Sequence, residues 1–554
     1  MASPLRFLCG LCASAVKAEM MKNPGALNSQ TFKRICWLFF LALSAAYLSL
    51  TPGTIEGQGY NQENLIAANQ VVTNITNAAT GQPLVRVEWT RHGFIEPIFF
   101  MPFAAASRVL PGGSVKWIGR LAIFQPILAT SLLCTLLLIW VYRLTSSLRL
   151  AVLLATCAGL GTILWPYVYI GLETTQSLAL LIAAYIALGI APGIAPGIAP
   201  GREPKRNWPE VLLFATACAV TVAVKLNGVF LAPAIGFLIL EYFGLGTRAS
   251  SALNSRFQRA YRWKLASVIT IIAATYALNH LAKSRYWSGM DAGVNYFRDI
   301  LVDSPLTVVL QAFAYFGSPN KSLLLFCPVL ALSFLTLGSA WRRQPSVVIF
   351  ALLALGGLIG GFSITRMWAD ETWGPRYLHA AVAPLILCLA AAKSALPFQW
   401  RREWLTLALL ILGMAISLLG SFFPYGSMHI AATRSSRATL EALQYDPELN
   451  HIRFNWKLMR VWLGGSRDVS PRSWPPPPRW WFTKPEDAPP EKTVALREFS
   501  TPQPILAQGW RSTMQASPKS FSLMRVLTAI SLAAGLIGLV AVWRRATAID
   551  KESA

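Results

Sequence analysis

Charge is scarce in this chain. Only 13% of the residues are Asp, Glu, Lys or Arg, against about 25% in soluble domains, which excludes water as the main solvent. Acids are scarcer still, 25 against 49 basic residues, for a net charge of +24. Such an excess serves nucleic acid when it covers one continuous face. Here it is divided among short loops between apolar runs, so no nucleic-acid partner is expected. Glycine-rich phosphate loops, nucleophile elbows and histidine pairs at metal-ligand spacing are missing too, and His92 is a lone histidine. Most of the eight cysteines lie inside apolar runs and read as small core residues, not as a disulfide framework. Cys9 and Cys12 form a CxxC, but no second pair exists to complete a zinc site. The first 33 residues show no cleavable signal pattern. Residues 1–20 carry no functional weight, with Met20 or Met21 open as a start.

What the chain has is apolar length. It is 54% hydrophobic, with mean hydropathy +0.46, and runs of about 17–25 apolar residues are long enough to cross hydrocarbon. Candidate spans lie near 35–51, 120–142, 149–164, 174–191, 210–224, 228–243, 265–282, 322–339, 346–363, 378–393, 405–423 and 524–543. They predict an all-α polytopic membrane protein of about twelve transmembrane helices. With the N-terminus in the cytoplasm, strict alternation returns basic loops to that side: Arg143 and Arg149; Arg202, Lys205 and Arg206; Arg248 to Lys264; Arg342 and Arg343; Lys393, Arg401 and Arg402; Arg544 and Arg545. The positive-inside rule requires this pattern. Both termini are therefore expected in the cytoplasm. The segments read as 1–34, cytoplasmic; 35–395, a transmembrane module with a first outer loop at 52–119; 396–423, an additional span; 424–523, a Pro-rich outer loop; and 524–554, the last span and tail. Gly-Ile-Ala-Pro repeats three times between 189 and 200 and lengthens a cytoplasmic connection.

Two cations on the outer side break the pattern: Lys225, between two apolar spans, and Arg376, at the mouth of another. They share that side with the carboxylates Glu56, Glu63, Glu88, Glu96, Glu173, Asp370 and Glu371. Charge at membrane depth is costly and marks function. Cations beside carboxylates at one face suit a lipid-linked sugar phosphate. Lys and Arg neutralise the phosphate as the sugar leaves, and a carboxylate takes the proton of an incoming hydroxyl or amine. Asn74-Ile-Thr76 and Asn320-Lys-Ser322 match the glycosylation acceptor pattern, which arises readily by chance.

Several stretches resemble the polytopic GT-C glycosyltransferases, the class of protein O-mannosyltransferases and lipid A aminoarabinose transferases. "GRLAIFQPILATSLLCTLLLIWVYRL" is similar to that class's "ARL" span. "WPYVYIGLETTQSLALLIAAYIAL" is similar to its outer turn, with Glu173 at the acidic position. "AVTVAVKLNGVFLAPAIGFLIL" sets Lys225 at the class's lysine, and "WGPRYLHAAVAPLILCLAA" sets Arg376 and Tyr377 at its Arg-Tyr. "YFGSPNKSLLLFCPVLAL" matches a further pattern.

The resemblance implies an inverting enzyme of the plasma (inner) membrane, a lid of juxtamembrane helices in the first outer loop, and a polyprenyl-phosphate sugar donor. Lys225, Arg376, Glu173, Tyr377 and Glu96 would bind substrate. The acceptor stays open among glycan, lipid and protein. No cofactor is implied with certainty, and a divalent metal remains open. The class has an acidic pair early in that loop, where "TIEGQGYNQENLIAANQVV" has isolated Glu56 and Glu63, so both stand as the catalytic base. The alternatives are a transporter or flippase of lipid-linked sugars and a non-catalytic homologue.

Overall fold

The computed structural model describes residues 29–50, 60–89, 93–111, 113–169, 171–189, 207–243, 255–286, 301–302, 304–365, 372–394, 399–423, 450–463 and 523–552. Among them the regular structure is helical, with one isolated bridge between Leu301 and Thr365. The helices relevant to the site are α1 (Ser29–Ser49), α2 (Tyr60–Thr80), α3 (Ile95–Arg108), α4 (Gly113–Ala122), α5 (Phe124–Thr145), α6 (Leu148–Leu160), α7 (Gly171–Ala184) and α8 (Trp208–Ala223). Then follow α9 (Ala232–Tyr242), α10 (Ser255–Tyr286), α11 (Pro305–Gly317), the short α12 (Leu323–Phe326), α13 (Leu330–Leu335) and α14 (Leu337–Arg343), and α15 (Pro345–Ser363). The last are α16 (Val382–Lys393), α17 (Trp400–Phe422), α18 (His451–Trp462) and α19 (Leu523–Glu552).

Eight helical stretches among these residues are long and apolar enough to cross a membrane, and four shorter apolar helices accompany them. The chain is an all-α membrane protein. Spans centred on α5, α7 and α16 are mostly buried within the bundle, whereas those in α10 and α19 bury only 17% of their apolar windows. In lipid, an apolar outer face needs no protein partner, and the helix supplies its own backbone hydrogen bonds.

The stretch 322–339, which hydropathy presents as one span, is instead α12, α13 and α14. Pro328 has no N–H to continue the ladder, and Thr336 closes one short helix and opens the next. Nearby α11, only 13 residues long, was not expected as a span. The first outer loop does contain helices, α2, α3 and α4, joined through Leu65, Ala68, Val72, Phe100, Ala104 and Ala122. The six cysteines among the described residues are buried and free, in keeping with core positions; Cys9 and Cys12 lie outside the described residues.

Residues assigned to one side of the bilayer meet one another. Arg149 pairs with Asp550 at 3.3 Å, and Lys393 with Glu403 at 2.6 Å. Arg143 donates to the Gly189 carbonyl and Arg343 to that of Ala392. Asp550 also accepts from Ser147 Oγ and from the backbone N–H groups of Leu148 and Arg149. The last helix thus caps the N-terminus of α6, whose first N–H groups have no intrahelical acceptor.

Candidate functional site

At the other end, three of the sequence-derived residues converge. Glu173 stands in the first turn of α7. Lys225 Nζ and Arg376 Nε both donate to its Oε1, each at 2.6 Å. All three side chains are buried, the least so at 9% exposure. Both cations stand where a helix breaks. Lys225 follows α8 in extended backbone and precedes a 3-10 turn, Leu226–Leu231. Arg376 opens the 3-10 turn Arg376–Ala381, directly before α16. Unwound backbone at these two points lets the side chains turn inward.

Glycine builds both breaks. A Cβ on Gly228 would lie 2.3 Å from the Val222 carbonyl oxygen, so only glycine lets the turn fold back on α8. Gly374 has φ +56°, and its carbonyl accepts the Arg376 N–H at 3.0 Å. A side chain there would meet the Phe326 ring at 2.7 Å. Gly374→Ala is expected to lower stability by about 1–3 kcal/mol, the usual cost of overpacking. Thermal unfolding of the purified variant checks this, and wild-type stability would remove Gly374 as the residue that positions Arg376.

Tyr377 completes the cationic corner. Lys225 Nζ lies 4.7 Å from the centre of its ring, which stacks on Phe362 at 4.1 Å. Cation–π contact of this kind gains strength when desolvated.

Glu96 is fully buried in the first turn of α3. Its Oε1 accepts from Thr175 Oγ at 3.3 Å, and Gln125 Nε2 donates to the same hydroxyl at 3.0 Å. Thr175 is two residues beyond Glu173 on α7, and the Glu173 charge reaches the Glu96 carboxyl. Asn279 of α10 sets this arrangement. Its Oδ1 accepts from the Phe94 N–H at 2.8 Å, and its Nδ2 donates to the Ala223 carbonyl at 2.6 Å. One side chain therefore ties the start of α3 to the end of α8, two residues before Lys225. Burial pushes the Glu96 carboxyl up to about 8; the Thr175 hydrogen bond opposes the rise and the Glu173 charge adds to it.

Beneath the ion cluster lies a second polar layer. Ser177 is one helical turn from Glu173 and donates to its carbonyl at 2.8 Å. His379 is one 3-10 turn from Arg376, where residues three apart eclipse. Ser177 Oγ and His379 Nδ1 are 2.6 Å apart. With the hydroxyl proton directed to the carbonyl, the Nδ1–H tautomer donates to Ser177. Sequence reading did not single out Ser177, His379, Thr175 or Gln125. Their signal was present as polar residues three or four positions from the named charges, inside otherwise apolar runs.

A further buried cation was also missed: Lys321 donates to the Thr372 carbonyl at 3.0 Å. Asn320, in the acceptor-like triplet, is fully buried and its Oδ1 accepts from the His451 N–H at 2.6 Å. The triplet anchors α18, from the long loop near 424–523, and is closed to glycosylation.

Glu63 is in the first turn of α2, on the helix that packs against α3. Glu56, Asp370, Glu371 and His92 lie outside the described residues. Among the described residues no three His, Cys, Asp or Glu side chains are grouped as a metal ion would need. The chain matches no protein-family model and no curated protein.

Proposed function

We propose that this chain is an inverting membrane glycosyltransferase of GT-C type, using a sugar carried on a polyprenyl phosphate at the outer face of the plasma (inner) membrane. One observation carries the proposal: two buried cations converge on one carboxylate at helix breaks on the side read as outer. Lys and Arg held at such a point form charge-assisted hydrogen bonds to the oxygens of an anionic headgroup. The phosphate becomes the leaving group as a nucleophilic hydroxyl or amine attacks the sugar carbon. Lys225 and Arg376 stabilise the charge that develops on it, and a first-loop carboxylate accepts the nucleophile's proton. The eight long and four short apolar helices support a reading of about twelve spans, and the basic loops orient both termini to the cytoplasm.

Purified protein incubated with labelled polyprenyl-phosphate sugars should release free polyprenyl phosphate. No release by folded protein from any donor or acceptor supplied would overturn the proposal. Lys225→Ala and Arg376→Ala should each weaken donor use about tenfold to a hundredfold, since losing a charge-assisted contact costs about 1.5–3 kcal/mol. Their steady-state kinetics check this, and wild-type values in both would remove the two cations from the site.

A transporter of lipid-linked sugars is the second reading. The discontinuities at Lys225 and Arg376 favour it, because transporter sites are built at broken helices. Reconstituted vesicles separate the two: a transporter moves the labelled lipid across the bilayer without releasing its phosphate.

A further inference from the structure

Three buried, oxygen-bearing side chains meet where the first-loop helix α3 joins the bundle. Glu96 comes from the first turn of α3, Gln125 from the first turn of α5 and Thr175 from α7. None is more than 6% exposed. Thr175 Oγ donates to Glu96 Oε1 and accepts from Gln125 Nε2, so its one proton is committed. What remains is acceptor capacity. Glu96 Oε2 and Gln125 Oε1 are buried and receive no hydrogen bond among the described residues. Among those residues the Glu96 carboxyl has one donor, the Thr175 hydroxyl, and no cationic side chain pairs with it.

The oxygens gather around one point. A Cβ on Gly171, the first residue of α7, would lie 2.2 Å from Glu96 Oε1, 3.0 Å from Gln125 Oε1 and 3.1 Å from Phe100 Cζ. Two oxygens this near a common point can both reach one ion, since a hard cation such as calcium holds oxygen at about 2.3–2.6 Å. Phe100 is fully buried and closes one side with an apolar ring. Acceptor beside acceptor, at a carboxylate buried without a cationic partner, calls for positive charge. Glu173 acts in the same direction: its charge strengthens the hold of Glu96 on a proton and draws any small cation likewise. The single carboxylate sets the valence, because a monovalent ion is neutralised by it and a divalent ion is not. Carboxylate and amide oxygens are hard ligands, with no nitrogen or sulfur to select a transition metal.

We propose that the Glu96 carboxylate and Gln125 Oε1 form a binding site for one alkali-metal cation of sodium or potassium size. The ion takes the acceptor oxygens that the hydrogen bonds leave over, and Thr175 holds both side chains in place for it. Its ligands come from α3 and α5 and are oriented from α7, so it fastens the first-loop helix to two spans of the bundle. Neither Lys225 nor Arg376 takes part, and the site stands or falls apart from the lipid-phosphate reading.

The test is thermal unfolding of the full-length protein in detergent, with sodium, potassium or choline chloride at equal concentration. A buffer at about pH 9 lies above the value of about 8 to which burial pushes the Glu96 carboxyl, so the carboxylate is ionised. Equal ionic strength cancels general screening, and choline is too large for two oxygens gathered at one point. Sodium or potassium should raise the unfolding midpoint by several degrees over choline. The rise should grow with the logarithm of ion concentration, as binding to the native state alone requires. Glu96→Gln removes the charge and Gln125→Leu removes the amide oxygen, and each should abolish the difference between alkali ion and choline. The Gln125 variant carries this arm if Glu96→Gln does not fold. Midpoints equal in all three salts overturn the site, because a proton or a water then satisfies the oxygens. A cation-specific rise that survives in either folded variant also overturns it, because the ion then binds elsewhere.

Discussion

Glu173→Gln is expected to be the most destabilising single change at the site. The glutamine keeps the size of the side chain but removes the carboxylate charge that Lys225 and Arg376 share, each 2.6 Å from the same oxygen. Two buried cations would then face one another across an amide. Breaking a buried ion pair by removing one partner typically costs about 3–5 kcal/mol, because the remaining charge is left uncompensated. Removing one cation is milder: in Lys225→Ala, Glu173 keeps Arg376. The order of stability expected is therefore wild type, Lys225→Ala, then Glu173→Gln. Chemical or thermal unfolding in detergent reads this order directly. The double variant Glu173→Gln with Lys225→Met should recover much of the loss, and with the single Lys225→Met variant it closes a cycle that gives the coupling of the pair. A Glu173→Gln protein as stable as wild type would show that water or another group compensates the cations, and would sink the account of the cluster as a closed electrostatic unit.

The parts of this arrangement visible in the sequence were those that violate a local rule. Lys225 and Arg376 stood out because each put a cation on the side where basic residues are rare. Glu173 stood out as an acid at the start of an apolar helix. Their convergence was legible as a shared side of the membrane, and the actual contacts needed the fold. Glu96 was assigned to a juxtamembrane helix, but its burial was not, since the charge count of a loop says nothing about which face turns inward. His379 and Gln125 were lost for a related reason. A polar residue inside a continuous apolar run has no periodicity to expose it when the helix is buried on all sides.

At the level of spans, hydropathy averaged across Pro328 and Thr336 and returned one helix where the backbone makes three. It also passed over α11, whose 13 residues are fewer than a bilayer crossing needs. Breaks of this kind are caused by single residues. A window average cannot see them, yet they are what positions the two cations.

If the chain transfers sugar, the largest kinetic effect should come from the carboxylate that accepts the nucleophile's proton, and Glu63→Gln is the first variant to make. Glu63 occupies the first turn of α2, and α2 is fixed to α3 by Leu65, Ala68 and Val72 packing on Phe100 and Ala104. The acid is therefore carried on the helix pair that also holds Glu96, and it is half-buried, not sealed. Glutamine preserves its reach as a hydrogen-bonding group but cannot take a proton. General-base assistance is worth about a hundredfold to ten-thousandfold, so turnover should fall by that much while donor binding, measured separately, stays within a few-fold. Glu56→Gln serves as the matched comparison, because Glu56 lies seven positions earlier in the same loop. A collapse in turnover confined to one variant assigns the base. If turnover survives in Glu63→Gln and Glu56→Gln alike, proton acceptance by either of these two acids is ruled out. The isolated acids would then mark a protein that holds a lipid-linked sugar without transferring it.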